Sequence, residues 1–552
     1  MNSEYLLEIN GLKTWLRSGG EDVHAVDGID LKIKRGETLC LVGESGSGKS
    51  ITALSIIRLL PQRISQHPAG NILFDYRGQD DHHEILNLLE QPESRMCEIR
   101  GSRIAMIFQE PMTSLNPVFT IGEQISEALR LHHPDLTEEN ALEKVVTGLE
   151  QVQIKNARSR LSDYPHQLSG GQRQRVMIAM AMACEPDLLI ADEATTALDV
   201  TVQAEILKLM CELQERRGMS ILFITHDFGV VAEMADRVAV MQQGKIVEQG
   251  ELDQVLHRPQ HDYTRALLAA LPHNLDKPFK VENISGKTLV ETKQLRVYFP
   301  IKAGFFRRTV DYIRAVDDVD MSIKKGEIVA LVGESGCGKT TLGRAILRLT
   351  EPTGGMVYFS GDEITGLSRS AMQAYRREMQ IVFQDPMSSL NPRLTVATML
   401  TEPMTVHGIG DSQSDRLRLA RELLEQVQLP GEYLRRYPHE FSGGQRQRIG
   451  IARALVLSPE FIVCDEVTSA LDVSVQAEIL KLLLKLRAER GLSLLFITHD
   501  IGVVEYISDR TLVMYQGRVV ESGSTEQVCQ APRHAYTQKL LAAVPSLLVS
   551  PE

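Results

Sequence analysis

The chain is 552 residues long, with 72 acidic and 60 basic residues and a formal net charge of −12. This length predicts two to four domains, and each half of the chain is long enough to bury a core. The acidic balance argues against a nucleic-acid-binding surface. The seven cysteines form no Cys-x-x-Cys pair, which argues against zinc and iron–sulfur sites. No uncharged stretch reaches the roughly 18 residues that a membrane span needs.

The first chemically informative element is an apolar strand that runs into a glycine-rich loop. The strand TLCLV at Thr38–Val42 is followed by the loop GESGSGKS and by the helical pattern ITALSIIRLL. This order predicts a phosphate site, because consecutive N–H groups of such a loop point at phosphate oxygens. Lys49 would supply a cation and Ser50 a hydroxyl group for Mg²⁺. A chance glycine turn is the alternative for a single copy.

Polar residues end three further apolar stretches. Gln109 ends IAMIFQ, where its amide can reach Mg²⁺ or a water on it, and Asp192 ends LLIAD, where a carboxylate can hold Mg²⁺ through water. Glu193 is suited to polarising an attacking water, and His226, after SILFIT, to contacting the γ-phosphate. Because parallel strands end at one edge of a sheet, we expect these side chains at the same edge. Solvated turns and a structural histidine are the alternatives.

The segment LSGGQ at Leu168–Gln172 predicts the start of a helix. The hydroxyl group of Ser169 and the N–H groups of Gly170 and Gly171 would form a second anion site there. A module that already has a phosphate loop leaves this second site for a partner module. A simple helix cap is the alternative.

The whole set of motifs returns in the second half of the chain. GESGCGKT at Gly333–Thr340 repeats the first loop, and the copies keep a constant offset of 273 residues from Gly170 and Gly443 to His261 and His534. A constant register over this length indicates duplication.

A polar segment separates the two copies. Residues 273–287 (HNLDKPFKVENISGK) contain Pro278 and Gly286, so we predict a linker between a domain of residues 1–272 and a domain of residues 288–552. A flexible linker of this length reaches about 20 Å, which favours pairing of the two domains within one chain.

With phosphate loop, Gln loop, LSGGQ signature, Asp-Glu strand end and final His in order, each half resembles an ATP-binding-cassette (ABC) ATPase. The resemblance implies an α/β fold of two tandem P-loop NTPase domains, each a mainly parallel core sheet with an antiparallel β-subdomain and a helical subdomain. It also implies head-to-tail pairing, in which Ser442–Gly444 complete the ATP site of Lys49 and Ser169–Gly171 that of Lys339.

The resemblance also assigns roles and the cofactors ATP and Mg²⁺. The catalytic residues would be Glu193, Glu466, His226 and His499. An aromatic residue upstream of the loop stacks on adenine in this family, a place that Trp15 and Tyr298 occupy, with strand core as the alternative. The ATP-binding residues would be Trp15, Gly43, Ser45, Gly46, Gly48, Lys49, Ser50, Ile51, Ser169, Gly170, Gly171, Gln172, Tyr298, Gly333, Ser335, Gly336, Gly338, Lys339, Thr340, Thr341, Ser442, Gly443, Gly444 and Gln445. The Mg²⁺ residues would be Ser50, Gln109, Asp192, Thr340, Gln384 and Asp465.

Finer features resemble the ATPases of peptide-type importers. These are the loops QEPMTSLNP and QDPMSSLNP, the segments YPHQLSGGQRQR and YPHEFSGGQRQR, and the tails PQHDYTRALLAALP and PRHAYTQKLLAAVP. A fused pair with a short linker is most similar to the ATP-binding subunits of glutathione importers. The resemblance implies two transmembrane permease subunits at the Gln-loop regions, an extracytoplasmic substrate-binding protein, and a peripheral location on the cytoplasmic face of the bacterial inner membrane.

Other functions stay open at this point. An importer of dipeptides, oligopeptides or peptide-like compounds would have the same motifs. A soluble tandem-cassette ATPase acting on ribosomes would carry a long, charged helical linker, whereas residues 273–287 are short. DNA-repair and chromosome ATPases would need zinc pairs or long coiled coils, which the sequence lacks.

Overall fold

The chain divides into two compact units. A computed structural model describes residues 4–18, 20–77, 83–109, 114–195, 198–276, 286–303, 308–385, 389–469 and 471–544. The first unit holds nearly all described residues up to Leu268, and the second runs through Ala269–Val544. Most of the expected linker, residues 277–285, lies outside the described ranges. Within those ranges no helix has the length and apolar character to cross a membrane.

The first unit is built from mixed strands and helices. Its strands are β1 (Tyr5–Ser18), β2 (Glu21–Lys34), β3 (Thr38–Val42), β4 (Ser65–Arg77), β5 (His83–Asn87), β6 (Ile104–Ile107), β7 (Leu188–Asp192), β8 (Ser220–Thr225), β9 (Arg237–Gln242) and β10 (Lys245–Glu251). Its helices are α1 (Lys49–Ile56), α2 (Glu93–Ile99), α3 (Ile121–His132), α4 (Glu138–Gln151), α5 (Ala157–Arg160), α6 (Gly170–Met182), α7 (Val200–Arg217), α8 (Phe228–Met234), α9 (Leu252–His257) and α10 (Asp262–Ala269).

The core sheet of this unit has the strand order β10-β9-β3-β8-β7-β6, and its neighbouring strands are parallel except at the β9–β10 edge. Every residue of β3, β7 and β8 is buried, as expected for apolar strands covered on both faces. A second, antiparallel sheet has the order β2-β1-β4-β5. Its inward side chains form one hydrophobic cluster with α1 and the core sheet.

The second unit repeats this arrangement. Its strands are β11 (Thr288–Ala303), β12 (Arg308–Lys324), β13 (Ile328–Val332), β14 (Gly354–Phe359), β15 (Asp362–Glu363), β16 (Met379–Val382), β17 (Phe461–Asp465), β18 (Ser493–Ile497), β19 (Arg510–Tyr515) and β20 (Arg518–Ser524). Its helices are α11 (Lys339–Ile346), α12 (Met372–Glu378), α13 (Val396–Val406), α14 (Gln413–Gln426), α15 (Gly443–Leu455), α16 (Val473–Arg490), α17 (Ile501–Ile507), α18 (Thr525–Gln530) and α19 (Ala535–Ala542).

The sheets of the second unit follow the same order as those of the first. The core sheet is β16-β17-β18-β13-β19-β20, parallel except at the β19–β20 edge, and the antiparallel sheet is β12-β11-β14-β15. The helices α13, α14 and α15 share a hydrophobic cluster with the core sheet. The expected fold, a mainly parallel sheet with an antiparallel β-subdomain and a helical subdomain in each half, is confirmed.

One glycine of the antiparallel sheet is required by close packing. Gly355, the second residue of β14, has φ +79°, and an added Cβ would lie 2.2 Å from the carbonyl oxygen of Gln294. Gly361 also has a positive φ, +94°, but an added Cβ there would meet no atom within 4 Å. Substitutions at the two positions therefore distinguish the cost of backbone strain, which both share, from the cost of steric overlap, which arises only at Gly355.

We expect Gly361→Ala to destabilise the second unit by about 1–2 kcal/mol, the ordinary penalty of a left-handed backbone with a side chain. Gly355→Ala should cost clearly more, because β14 must also move away from β11. The measurement is the urea or thermal unfolding midpoint of both variants. Equal midpoints would contradict a steric role for Gly355.

Candidate functional site

The loop between β3 and α1 folds around the amino group of its lysine. Lys49 is buried, and its Nζ donates hydrogen bonds to the carbonyl oxygens of Gly43, at 2.7 Å, and Glu44, at 2.9 Å. Gly48 has φ +108°, and an added Cβ would lie 2.3 Å from the carbonyl oxygen of Ala25. Only glycine fits this approach of the loop to β2.

The loop of the second unit has the same geometry. Lys339 Nζ donates to the carbonyl oxygens of Gly333, at 2.7 Å, and Glu334, at 2.9 Å. A Cβ at Gly338 would lie 1.8 Å from the carbonyl oxygen of Ala315. Both loops thus hold a buried cation beside backbone N–H groups at the start of a helix, an arrangement suited to phosphate. The predicted ATP-binding residues of the loops, including Ile51 and Thr341 on the first turns of α1 and α11, lie together in each unit.

A hydroxyl group and a carboxylate meet directly beside each lysine. Ser50 Oγ donates to Asp192 Oδ1 at 3.0 Å, and Thr340 Oγ1 donates to Asp465 Oδ1 at 2.8 Å. Burial raises the pKa of Asp192 to about 6 and also raises that of Asp465. A buried carboxylate next to a hydroxyl group offers two oxygen ligands, and Mg²⁺ commonly takes a few protein oxygens together with phosphates and water. These pairs therefore fit Mg²⁺.

Three neighbouring strands of the first unit bring an amide, a carboxylate and an imidazole together. Gln109 follows β6, Glu193 follows β7 and His226 follows β8, which are adjacent in the sheet. Gln109 Nε2 donates to Glu193 Oε2 at 2.8 Å, and His226 Nδ1 lies 3.4 Å from Glu193 Oε1. Glu193 has φ +48°, and its N–H donates to the carbonyl oxygen of Ile224 at 2.9 Å. A non-glycine residue with this strained, left-handed backbone conformation is typical of functional sites.

The second unit repeats this group. Gln384 Nε2 donates to Glu466 Oε2 at 2.7 Å, and His499 Nδ1 lies 3.7 Å from Glu466 Oε1. Burial acts to lower the pKa of His499, but the nearby Glu466 carboxylate outweighs it and the pKa is raised. Burial acts to raise the pKa of Glu466, but His499 outweighs it and the pKa is lowered. The carboxylate is therefore held ionised, as a group that accepts a proton must be.

The predicted helix starts at the signature segments are confirmed. Helix α6 begins at Gly170, the side chain of Ser169 accepts the N–H of Gln172 at 3.3 Å, and the side chain of Gln172 accepts the N–H of Ser169 at 3.1 Å. A Cβ at Gly171 would lie 2.6 Å from Val202 Cγ1, so the missing side chain lets α7 pack closely on α6.

Helix α15 of the second unit has the same capping box, formed by Ser442 and Gln445. A Cβ at Gly444 would lie 2.3 Å from Val475 Cγ1 on α16. Gly170 and Gly443, in contrast, have open space on their Cβ side apart from one contact of Gly443 with Leu471 at 4.0 Å.

The two aromatic residues expected to stack on adenine lie in the antiparallel sheets. Trp15, on β1, stacks on His24 with ring centroids 4.3 Å apart. Tyr298, on β11, hydrogen-bonds to Asp317, and the guanidinium group of Arg314 lies 5.7 Å from its ring centroid. One face of the Trp15 ring is thus covered, so the stacking role stays a prediction.

The comparisons with known proteins agree with this geometry. The family model described as ABC transporter matches residues 26–196 and 316–469, and the model described as Oligopeptide/dipeptide transporter, C-terminal region matches residues 247–296 and 520–550. The chain therefore belongs to the ABC transporter family, as a protein that binds and hydrolyses ATP.

Three named relatives match nearly the whole chain. The glutathione import ATP-binding protein GsiA of Salmonella paratyphi A (strain ATCC 9150 / SARB42) is 48% identical over 99% of this chain and 90% of the relative. The proteins of the same name from Shigella boydii serotype 4 (strain Sb227) and Escherichia coli (strain K12) are each 48% identical over 98% of this chain and 89% of the relative.

The hydrogen bonds of Gln109 with Glu193 and of Gln384 with Glu466 should be sensitive to added charge. Replacing both Gln109 and Gln384 with Glu places two carboxylates side by side, which cannot both stay ionised, and should lower ATP hydrolysis about tenfold or more. Replacement by Met removes the hydrogen bond without adding charge and should cost less. Steady-state hydrolysis rates of the two double variants test this expectation, and a larger loss for Met would contradict it.

Proposed function

We propose that this chain is the ATP-hydrolysing subunit of an importer of glutathione, attached to partner permeases at the cytoplasmic face of the bacterial inner membrane. The main support is that both units hold the complete set of phosphate loop, Gln–Glu–His group and capped signature helix, in a chain 48% identical over 99% of its length to a glutathione import ATP-binding protein. The match of the peptide-transporter C-terminal region in both halves favours this class over ATPases that act on ribosomes.

The chemistry proposed for each unit follows from the side chains at the sheet edge. Lys49 and Lys339 bind phosphate oxygens, and Ser50 with Asp192, or Thr340 with Asp465, would hold Mg²⁺. When bound, Mg²⁺ neutralises charge that develops on the β- and γ-phosphates.

The carboxylates of Glu193 and Glu466 orient a water molecule and draw off its proton. Gln109 and His226, each within hydrogen-bonding reach of Glu193, fix the direction of that carboxylate. The side-chain amides of Gln109 and Gln384 donate to Glu193 and Glu466. A direct role of the two glutamines at Mg²⁺ therefore stays a prediction.

The Gln-loop region of the first unit has features of a docking surface. Phe108, next to Gln109, exposes much of its side chain, as do Val118 and Phe119 before α3. Exposed apolar groups of this kind mark protein contact sites. We propose that permease subunits bind at the Gln-loop regions and that an extracytoplasmic substrate-binding protein completes the transporter. The pairing of the two cassettes within one chain stays a prediction.

Replacing both Glu193 and Glu466 with Gln should preserve ATP binding, because Gln keeps the shape and an oxygen that accepts the bond from Gln109 or Gln384. Turnover should fall by about a hundredfold or more, the usual contribution of a general base. The measurements are ATP affinity and hydrolysis rate. The control is Glu212→Gln, which removes a partly exposed carboxylate paired with Arg216 and should change neither. Unchanged hydrolysis in the double variant would refute the roles of both glutamates.

Growth with glutathione as the only sulfur source tests the transported molecule. A strain in which the gene is disrupted should fail to grow, and the wild-type gene, but not the Glu193→Gln and Glu466→Gln double variant, should restore growth. Dipeptides that contain cysteine serve as the comparison. Normal growth of the disrupted strain on glutathione, with failure on the dipeptides, would instead assign the importer to other peptides.

A further inference from the structure

Each unit carries a tyrosine on its last described helix that contacts the phosphate loop. The hydroxyl oxygen of Tyr263, on α10, accepts the N–H of Glu44 at 3.3 Å, and the hydroxyl group donates to Glu44 Oε2 at 3.2 Å. The hydroxyl oxygen of Tyr536, on α19, accepts the N–H of Glu334 at 3.0 Å. Glu44 and Glu334 are the second residues of their loops, so the two contacts are copies of one another.

The tyrosine of the first unit is held from the edge of the core sheet. Glu248, on β10, accepts the N–H of Gln260 at 2.7 Å and of His261 at 3.1 Å, and His261 Nδ1 accepts the N–H of Tyr263 at 3.2 Å. Burial alone would raise the pKa of the Glu248 carboxyl, but the hydrogen bonds from the Gln260 N–H, the Thr264 side chain and the His261 N–H outweigh it and lower the pKa. The carboxylate therefore stays ionised and fixes the start of α10.

The second unit has the same connections. Glu521, on β20, accepts the N–H groups of Arg533, at 2.7 Å, and His534, at 3.0 Å, while His534 Nδ1 accepts the N–H of Tyr536 at 3.2 Å. The Tyr536 ring also packs on Tyr515, with centroids 4.2 Å apart. Burial raises the pKa of Tyr536, so its hydroxyl group stays protonated.

The tyrosine and the loop lysine act on the same residue. In the first unit the N–H of Glu44 donates to Tyr263, while the carbonyl oxygen of Glu44 accepts from Lys49. In the second unit Glu334 is held in the same way between Tyr536 and Lys339. Fixing this residue therefore fixes both the path of the loop and the place of the lysine amino group, and pre-organised groups bind a ligand more tightly.

We propose that Tyr263 and Tyr536 are positioning residues for nucleotide binding, acting through the second residue of each phosphate loop. Both tyrosines lie in the segments, residues 247–296 and 520–550, that match the peptide-transporter C-terminal region. This region thus serves the nucleotide site of its own unit. The inference rests on the proposed function, since it takes the two loops to be the ATP sites.

The test compares removal of the hydroxyl groups with removal of helix packing. Tyr263→Phe, Tyr536→Phe and the double variant keep the rings but lose the contacts with the loops. Leu267→Ala and Leu540→Ala, at buried positions of α10 and α19, weaken helix packing and keep the hydroxyl groups. Tyr515→Phe keeps the ring against Tyr536 and removes a hydroxyl group that bonds to Gln516.

The probe is ADP with Mg²⁺, which binds without turnover. The double Phe variant should raise the Kd for ADP and the KM for ATP about five- to tenfold, as expected for the hydrogen bonds lost at the two loops, and should leave kcat within about twofold. Tyr515→Phe should leave the Kd unchanged, and the two Leu→Ala variants should lower the unfolding midpoint with little change in Kd.

An unchanged Kd in the double Phe variant would overturn the inference. So would equal rises in Kd in the Leu→Ala variants, since helix packing alone would then explain the effect. A wild-type chain that binds no ADP would overturn the proposed function itself, whereas wild-type binding with an unchanged double variant would overturn only the role of the tyrosines.

Discussion

Parallel pairing of short apolar strands is the constraint on which both proposed nucleotide sites depend. Because β6, β7 and β8 run in the same direction and lie side by side, their carboxyl ends place Gln109, Glu193 and His226 at one edge. The phosphate loop leaves β3, the next strand in the sheet, at the same edge. The chemistry proposed for each unit is thus assembled from four strand ends, and no single segment contains it.

Several energetically unfavourable features, namely buried charges and backbone strain, are concentrated at this edge. A buried ammonium group, a carboxylate whose pKa is raised to about 6 by burial, and a glutamate with φ +48° lie together at this edge. Each is offset by fixed partners: carbonyl oxygens for Lys49, a hydroxyl group for Asp192, and the ladder bond to Ile224 for Glu193. Groups held in this way need little rearrangement to act on a ligand.

Local patterns predicted the strands and helix starts well, because burial on both faces leaves a continuous apolar run. The strand Thr38–Val42 and the signature helix at Gly170 are found as expected. The pattern ITALSIIRLL predicted a longer helix than α1, which ends at Ile56 before Arg58 turns to φ +53° and donates to the carbonyl oxygen of Leu88. The bond from Gln109 to Glu193 and the contact of Tyr263 with Glu44 depend on tertiary distances that spacing does not encode. For the contact of Tyr263 with Glu44, the sequence signal was the repeat of His261 as His534, two residues before each tyrosine.

The ring pair of Tyr515 and Tyr536 shows what duplication within one chain permits. The residue that corresponds to Tyr515 in the first unit is Gln242, so both tyrosines accept the N–H of the loop glutamate while their packing has diverged. Two copies on one polypeptide are always made in equal number, and one can change without upsetting stoichiometry. The nucleotide affinities of the two halves of such a chain can therefore be adjusted separately.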